Sequence, residues 1–141
     1  MAGRKDEGYP GNRIMIYHIT PIPKPRMSRQ DKWPTRPPKY RGKEWPRPSV
    51  RRYRNFDDLC AIHHIDFPPV GARIKFVLPM PKSWSKKKKE EMNNRYHQQK
   101  PDLSNLIKSL EDCVYSDDSG ICDYHISKHW GYEGAIIIEK G

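Results

Sequence analysis

Apolar and polar positions alternate over residues 13–22. Ile14, Ile16 and His18 fall on one face and Met15, Tyr17 and Ile19 on the other, the two-residue period of a strand. Apolar side chains on both faces predict a strand inside a sheet. A helical period begins at Ser49, a suitable cap, and brings Val50, Tyr53, Phe56 (or Asp57), Cys60 and His64 to one side until Pro68 and Pro69 end it. Residues 71–80 (GARIKFVLPM) form a second strand that stops at Pro79. Ser83 or Ser85 then caps a short helix, SKKKKEEMNNRY, whose surface is almost wholly charged. The next helix spans residues 102–114, with Leu103, Leu106, Ile107 and Leu110 as its apolar stripe. A turn at 116–120 and two closing strands, 121–128 and 134–139, complete the set. The order is that of an α+β fold, a mixed β-sheet with helices packed against it.

Two stretches fall outside this pattern. Residues 1–12 are polar and carry three glycines, and are expected to be a flexible leader. Residues 23–48 hold seven prolines among lysines and arginines, with Trp33, Tyr40 and Trp45 interspersed. Each proline removes a backbone donor, so this stretch is expected to be a long arm inside one domain covering 13–141.

Charge changes the picture. The chain has 27 Lys and Arg against 17 Asp and Glu, a net charge of +10, and only 35% hydrophobic residues. A surplus of this size binds polyanions through counterion release, and nucleic acid is the usual one. No apolar run reaches membrane-spanning length and residues 1–13 do not form a signal peptide, so a cytoplasmic location and no membrane partner are expected. Cys60, Cys113 and Cys122 make an odd count without paired spacing, which argues against a disulfide framework. Cys60 with His63 and His64 lacks a second pair at ligand spacing, so packing inside a helix is preferred to zinc binding.

Two acidic groups are candidates for chemistry. Asp102 opens the helix that also carries Asn105, Lys108 and Asp112 at spacings of three, three and four residues. Asp117 and Asp118 form an adjacent pair on the turn, where their repulsion asks for a cation or a basic group. Carboxylate oxygens with open water positions suit Mg²⁺, and a bound Mg²⁺ supplies what phosphodiester hydrolysis requires. Lys108 is placed to neutralise developing charge. Each group also has an ordinary structural explanation: an Asp at a helix start is usually a cap, and Asp-Asp-Ser-Gly is usually a turn.

The run K-P-D-L-S-N-L-I-K-S-L-E-D (residues 100–112), followed by D-D-S, resembles the signature of RusA-type Holliday junction resolvases. That signature reads Asp-x-Asp-Asn-Leu-x-Lys, then an Asp, then a paired Asp-Asp. The early I-P-K-P-R, the stretch P-x-S-W-S-K-K-K, Lys128 and the apolar last strand also resemble phage members of the family. The resemblance implies a symmetric homodimer that binds four-way junctions and makes paired nicks with a divalent metal, Mg²⁺ or Mn²⁺, without a small-molecule cofactor. Carried over by position, it implies catalytic roles for Asp102, Lys108 and Asp118, metal binding by Asp102, Asp118 and Asp117, and support from Asn105. One position departs from the signature. Ser104 stands where the family has its second aspartate, which removes a charge from the site. Asp117, Asp112 or Asp123 is then expected to compensate, or the metal binds through water.

Positive charge gathers in two blocks. Residues 24–54 hold twelve Lys or Arg against Asp31 and Glu44, and Lys86 to Lys89 follow later. Lys24, Arg26, Arg29, Lys86, Lys87, Lys88, Lys89 and Lys100 are expected to touch DNA phosphates, with Trp33, Tyr40 and Trp45 available for unpaired bases. A non-catalytic protein that binds branched or single-stranded DNA, its metal site weakened at Ser104, is the main competing reading. A structural protein whose basic arm packs on an acidic partner is a third.

Overall fold

The computed structural model describes residues 13–26, 39–40, 43–44 and 47–140. Four strands form one sheet: β1 (Arg13–Tyr17), β4 (Val70–Pro79), β5 (Asp123–Gly131) and β6 (Ala135–Lys140). Their order is β1-β6-β4-β5, with β4 antiparallel to β6 and parallel to β5. Two short antiparallel strands, β2 (Lys39–Tyr40) and β3 (Lys43–Glu44), pair with each other. The helices are α1 (Pro48–Ile62), α2 (Lys86–Met92) and α3 (Leu103–Val114), and a 3₁₀ turn spans Asp118–Gly120. The mixed sheet and helices of an α+β fold are present as expected.

The core lies between one sheet face and the helices α1 and α3. On β4, Ala72, Ile74, Phe76 and Leu78 point inward in strict alternation. They meet Ile136 and Ile138 of β6, Phe56 and Cys60 of α1, and Leu106, Ile107 and Leu110 of α3. The α3 stripe is the one its periodicity predicts. Cys60 and Cys113 meet between the two helices as free thiols, and the Cys113 pKa is raised first by its hydrogen bond with Cys60 and then by burial. Among the described residues, no helix covers the opposite sheet face. It shows Arg73, Lys75, His125, Ser127, Ile137 and Glu139 around a shallow recess, beside the exposed Ile14 and Ile16.

Several boundaries differ from the sequence expectation. β1 ends at Tyr17 instead of 22, because Ile19 N–H turns back to the Tyr17 carbonyl and Pro21 and Pro23 cannot continue a ladder. It is also an edge strand instead of an interior one, with Ile14 and Ile16 left exposed. Ser49 is not the cap of α1. The helix starts one residue earlier with Pro48, whose fixed φ and missing donor suit a first helical position, and Arg47 stands at the cap. The arm carries β2 and β3, where no strand was expected. Most of the arm, including Arg29 and Trp33, and the leader at 1–12 lie outside the described residues.

Leu110 is fully buried where α3 meets the sheet. Leu110→Ala removes contacts that the surroundings cannot close, and is expected to cost about 3 kcal/mol. Urea unfolding would show this as a lower midpoint at unchanged slope.

Candidate active site and nucleic-acid interface

Asp102 is the N-cap residue of α3. Its carbonyl accepts from the Asn105 and Leu106 amides at 3.1 and 3.2 Å, but its side chain makes no capping hydrogen bond. The exposed carboxylate is therefore not committed to the helix start. The chain reaches it along the outer edge of β5: Asn94 N–H donates to Trp130 O (3.0 Å), Trp130 N–H to Arg95 O (2.9 Å) and His97 N–H to Lys128 O (3.0 Å). Lys128 then holds the last turn before the helix. Its ammonium donates to Pro101 O at 2.7 Å and also to Gln99 O. Burial lowers the Lys128 pKa, and the charge of Asp102 opposes that shift.

At the other end of α3 lies an open recess of about 330 Å³, lined by Glu111, Asp118, Ile121, Cys122, Asp123 and Tyr124. The Tyr124 hydroxyl donates to Glu111 Oε2 at 3.1 Å. Burial raises the Tyr124 pKa, and so do its bond to Glu111 and the negative charges of Glu111 and Asp118. Asp102 is not part of this lining. Nine residue steps along α3 separate it from Glu111, about 13 Å along the axis. The strand beneath agrees: Asp102 acts on Lys128, Glu111 bonds Tyr124, and those two lie four residues apart on β5, about 13 Å. The structure groups Asp118 with Glu111 and Asp123, and leaves Asp102 with Lys128.

The remaining acidic candidates divide clearly. Asp112 is ion-paired with Lys24, so neither side chain is free for the roles expected of it in metal or DNA binding. Asp117 accepts from Ser119 N–H at 3.0 Å, and that bond lowers its pKa. Of the three compensating carboxylates considered for Ser104, only Asp123 lines the recess. Ser104, Asn105 and Lys108 are exposed along α3. Among the described residues, no three His, Cys, Asp or Glu side chains group into a metal-binding cluster. Mg²⁺ commonly takes one or two carboxylates plus substrate phosphate and water, and the hard oxygens of the open recess fit that mode better than a closed protein cage.

The basic candidates lie on other elements. Lys86 to Lys89 sit on α2, which buries no residue of its own and starts from a Ser85 cap. It is held through Trp84, which packs on Trp130 at 4.7 Å and carries the Lys88 ammonium over its ring at 4.5 Å. Lys100 and Arg26 are exposed.

The family description "Endodeoxyribonuclease RusA" matches residues 18–139. The chain belongs to the RusA family. It is also similar to the "Uncharacterized protein YqaN" of Bacillus subtilis (strain 168), with 38% identity over 78 residues. That match covers 50% of this chain and 55% of the relative, so the chain spans about half the length of that curated protein. The matched residues include Asp102, Asn105, Lys108 and Asp118.

Glu111 and the part played by Lys128 were not foreseen. Glu111 is an ordinary polar residue in the helical pattern, and only its long-range partner Tyr124 marks it. Lys128 belongs to the family resemblance, but its bonds to the 99–101 turn appear only once β5 is folded.

Lys128→Met is expected to lower stability by about 1–3 kcal/mol and to speed amide exchange at Leu103 and Ser104, while Lys128→Arg restores part of both. Unfolding curves and hydrogen exchange check this. His97 is buried against Trp130, with ring centroids 4.0 Å apart, and burial followed by the Lys128 charge lowers its pKa from 6.5. The unfolded chain therefore takes up this proton at a higher pH than the folded one. The stability it supports is complete above pH 6.5 and is lost as pH falls through the folded value. The urea midpoint should fall between pH 7 and 5, and less steeply in His97→Gln.

Proposed function

We propose that this chain is a Mg²⁺-dependent endonuclease that cuts four-way DNA junctions as a homodimer, with Mn²⁺ able to replace Mg²⁺. The observation that carries the reading is the open acidic recess at Asp118, set in a chain of net charge +10. A strongly basic protein gains nothing for DNA affinity from clustered carboxylates, unless they hold a cation against the phosphate. Family membership supports the nuclease chemistry, and the junction specificity follows the family.

In this reading Asp118, with one further carboxylate of the recess, would hold the metal, and a bound metal would supply phosphate polarisation and water activation. Lys108 would offset charge on the phosphate, as its exposed position on α3 permits. Asp102 and the surrounding basic residues act at the other end of the helix. About 13 Å is the length of roughly four base steps along one strand, so one DNA strand can pass both ends. The bare sheet face with Ile14 and Ile16 supports pairing with a second copy, and a two-fold dimer would present two recesses to a junction of matching symmetry.

A synthetic four-way junction incubated with Mg²⁺ should be nicked. Asp118→Asn should reduce the rate at least about 100-fold while binding persists. Unchanged cleavage in that variant would remove Asp118 from the mechanism. The competing reading, a junction-binding protein without cutting, is favoured by Ser104 and by the lack of a three-carboxylate group among the described residues. It predicts salt-sensitive binding and no cutting with any divalent ion, and cutting gained in Ser104→Asp.

A further inference from the structure

Tyr96 is 68% exposed, yet it is not a loose surface residue. It forms a β-bridge with His129, and the hydrogen bonds from Asn94, Trp130 and His97 fix the backbone on either side. Its ring lies on the His129 imidazole, with centroids 4.9 Å apart and planes tilted by 34°. One ring face is therefore backed by a second aromatic group and the other is open to solvent. His129 is itself held, with Nε2 3.0 Å from Ser127 Oγ. Burial and the Lys75 charge lower its pKa, which favours the neutral ring that stacks without adding charge. Around the pair, Met92, Asn94, Arg95, Tyr96, Gln98 and His129 line a recess of about 530 Å³.

An exposed aromatic ring is costly to leave in water, and no residue of the described chain covers this one. A pre-stacked, backbone-fixed platform needs little further ordering to accept a planar ligand. Its neighbourhood selects among planar ligands. The lysines of α2 precede it, Arg95 adjoins it, and Asn94 and Gln98 offer amides of either hydrogen-bonding sense. Six residues join Tyr96 to Asp102, at most about 21 Å of chain, so a strand lying at Asp102 is within reach.

We infer that Tyr96, backed by His129, is a stacking site for an unpaired nucleobase of the DNA strand, so that the protein reads single-stranded character beside the junction. The inference rests on the DNA-cleaving reading for its context but not for its test. Base stacking tolerates any sequence, so the site favours locally melted or flexible branch points over a particular base.

The test uses the full chain in EDTA, where no cutting occurs, with an oligothymidine strand and a blunt duplex as separate probes. Tyr96→Ala should weaken oligothymidine binding roughly 5- to 100-fold and leave duplex affinity and its salt dependence unchanged, since no charge is removed. Tyr96→Trp and Tyr96→Phe should retain binding. Equal affinity of Tyr96→Ala for oligothymidine overturns the inference. So does loss of dimer in that variant on sedimentation, which would assign the ring to the subunit contact. If no variant, wild type included, cuts a junction with Mg²⁺, the nuclease reading fails while the stacking result stands.

Discussion

The burial of Leu106, Ile107 and Leu110 against β4 and β6 decides where every polar group of α3 can go. With one face of the helix sealed, Glu111 turns toward β5 and Tyr124, whereas Asp112, about 100° further round, turns toward the 22–26 segment and Lys24. Two adjacent carboxylates thus enter unrelated environments. The first joins the recess of Asp118 and Asp123, and the second becomes an anchor for the arm. Asp102 stays at the far end because the same packing fixes the helix along β5.

The sheet explains why the recess is open. β5 is an outer strand of the four-stranded sheet, and the segment at 94–97 covers only the part of its edge near residues 128–130. The beginning of β5, with Asp123 and Tyr124, has no such cover among the described residues and lines one recess with Asp118 of the 3₁₀ turn. A carboxylate group placed there keeps its water, which a hydrated divalent ion requires.

Elements with a strong period were legible in the sequence. The α3 stripe and the alternation in β4 follow from residue spacing alone, and Pro79 ends β4 as expected. What was not legible depended on partners distant in the chain. β1 reads as interior because both its faces are apolar, yet nothing pairs with its outer edge among the described residues, and only the sheet order shows it. Asp112 satisfied the helical spacing of a site residue, and the spacing was correct. Its partner Lys24, 88 residues away, is what removes it. The resemblance pointed to Asp118, and Asp123 stood among the compensating carboxylates, but Glu111 joins them only through folding β5 beside α3.

The root of the proline-rich arm is stitched to α3 at successive points. Ser109 Oγ donates to Ile22 O at 2.6 Å, Lys24 N–H donates to Asn105 O at 3.2 Å, and the Lys24 ammonium grips Asp112. Force applied to the arm at Arg26 is therefore delivered in part to the helix that bears Asp102 and Glu111. Whatever the arm grasps, the acidic helix feels the pull.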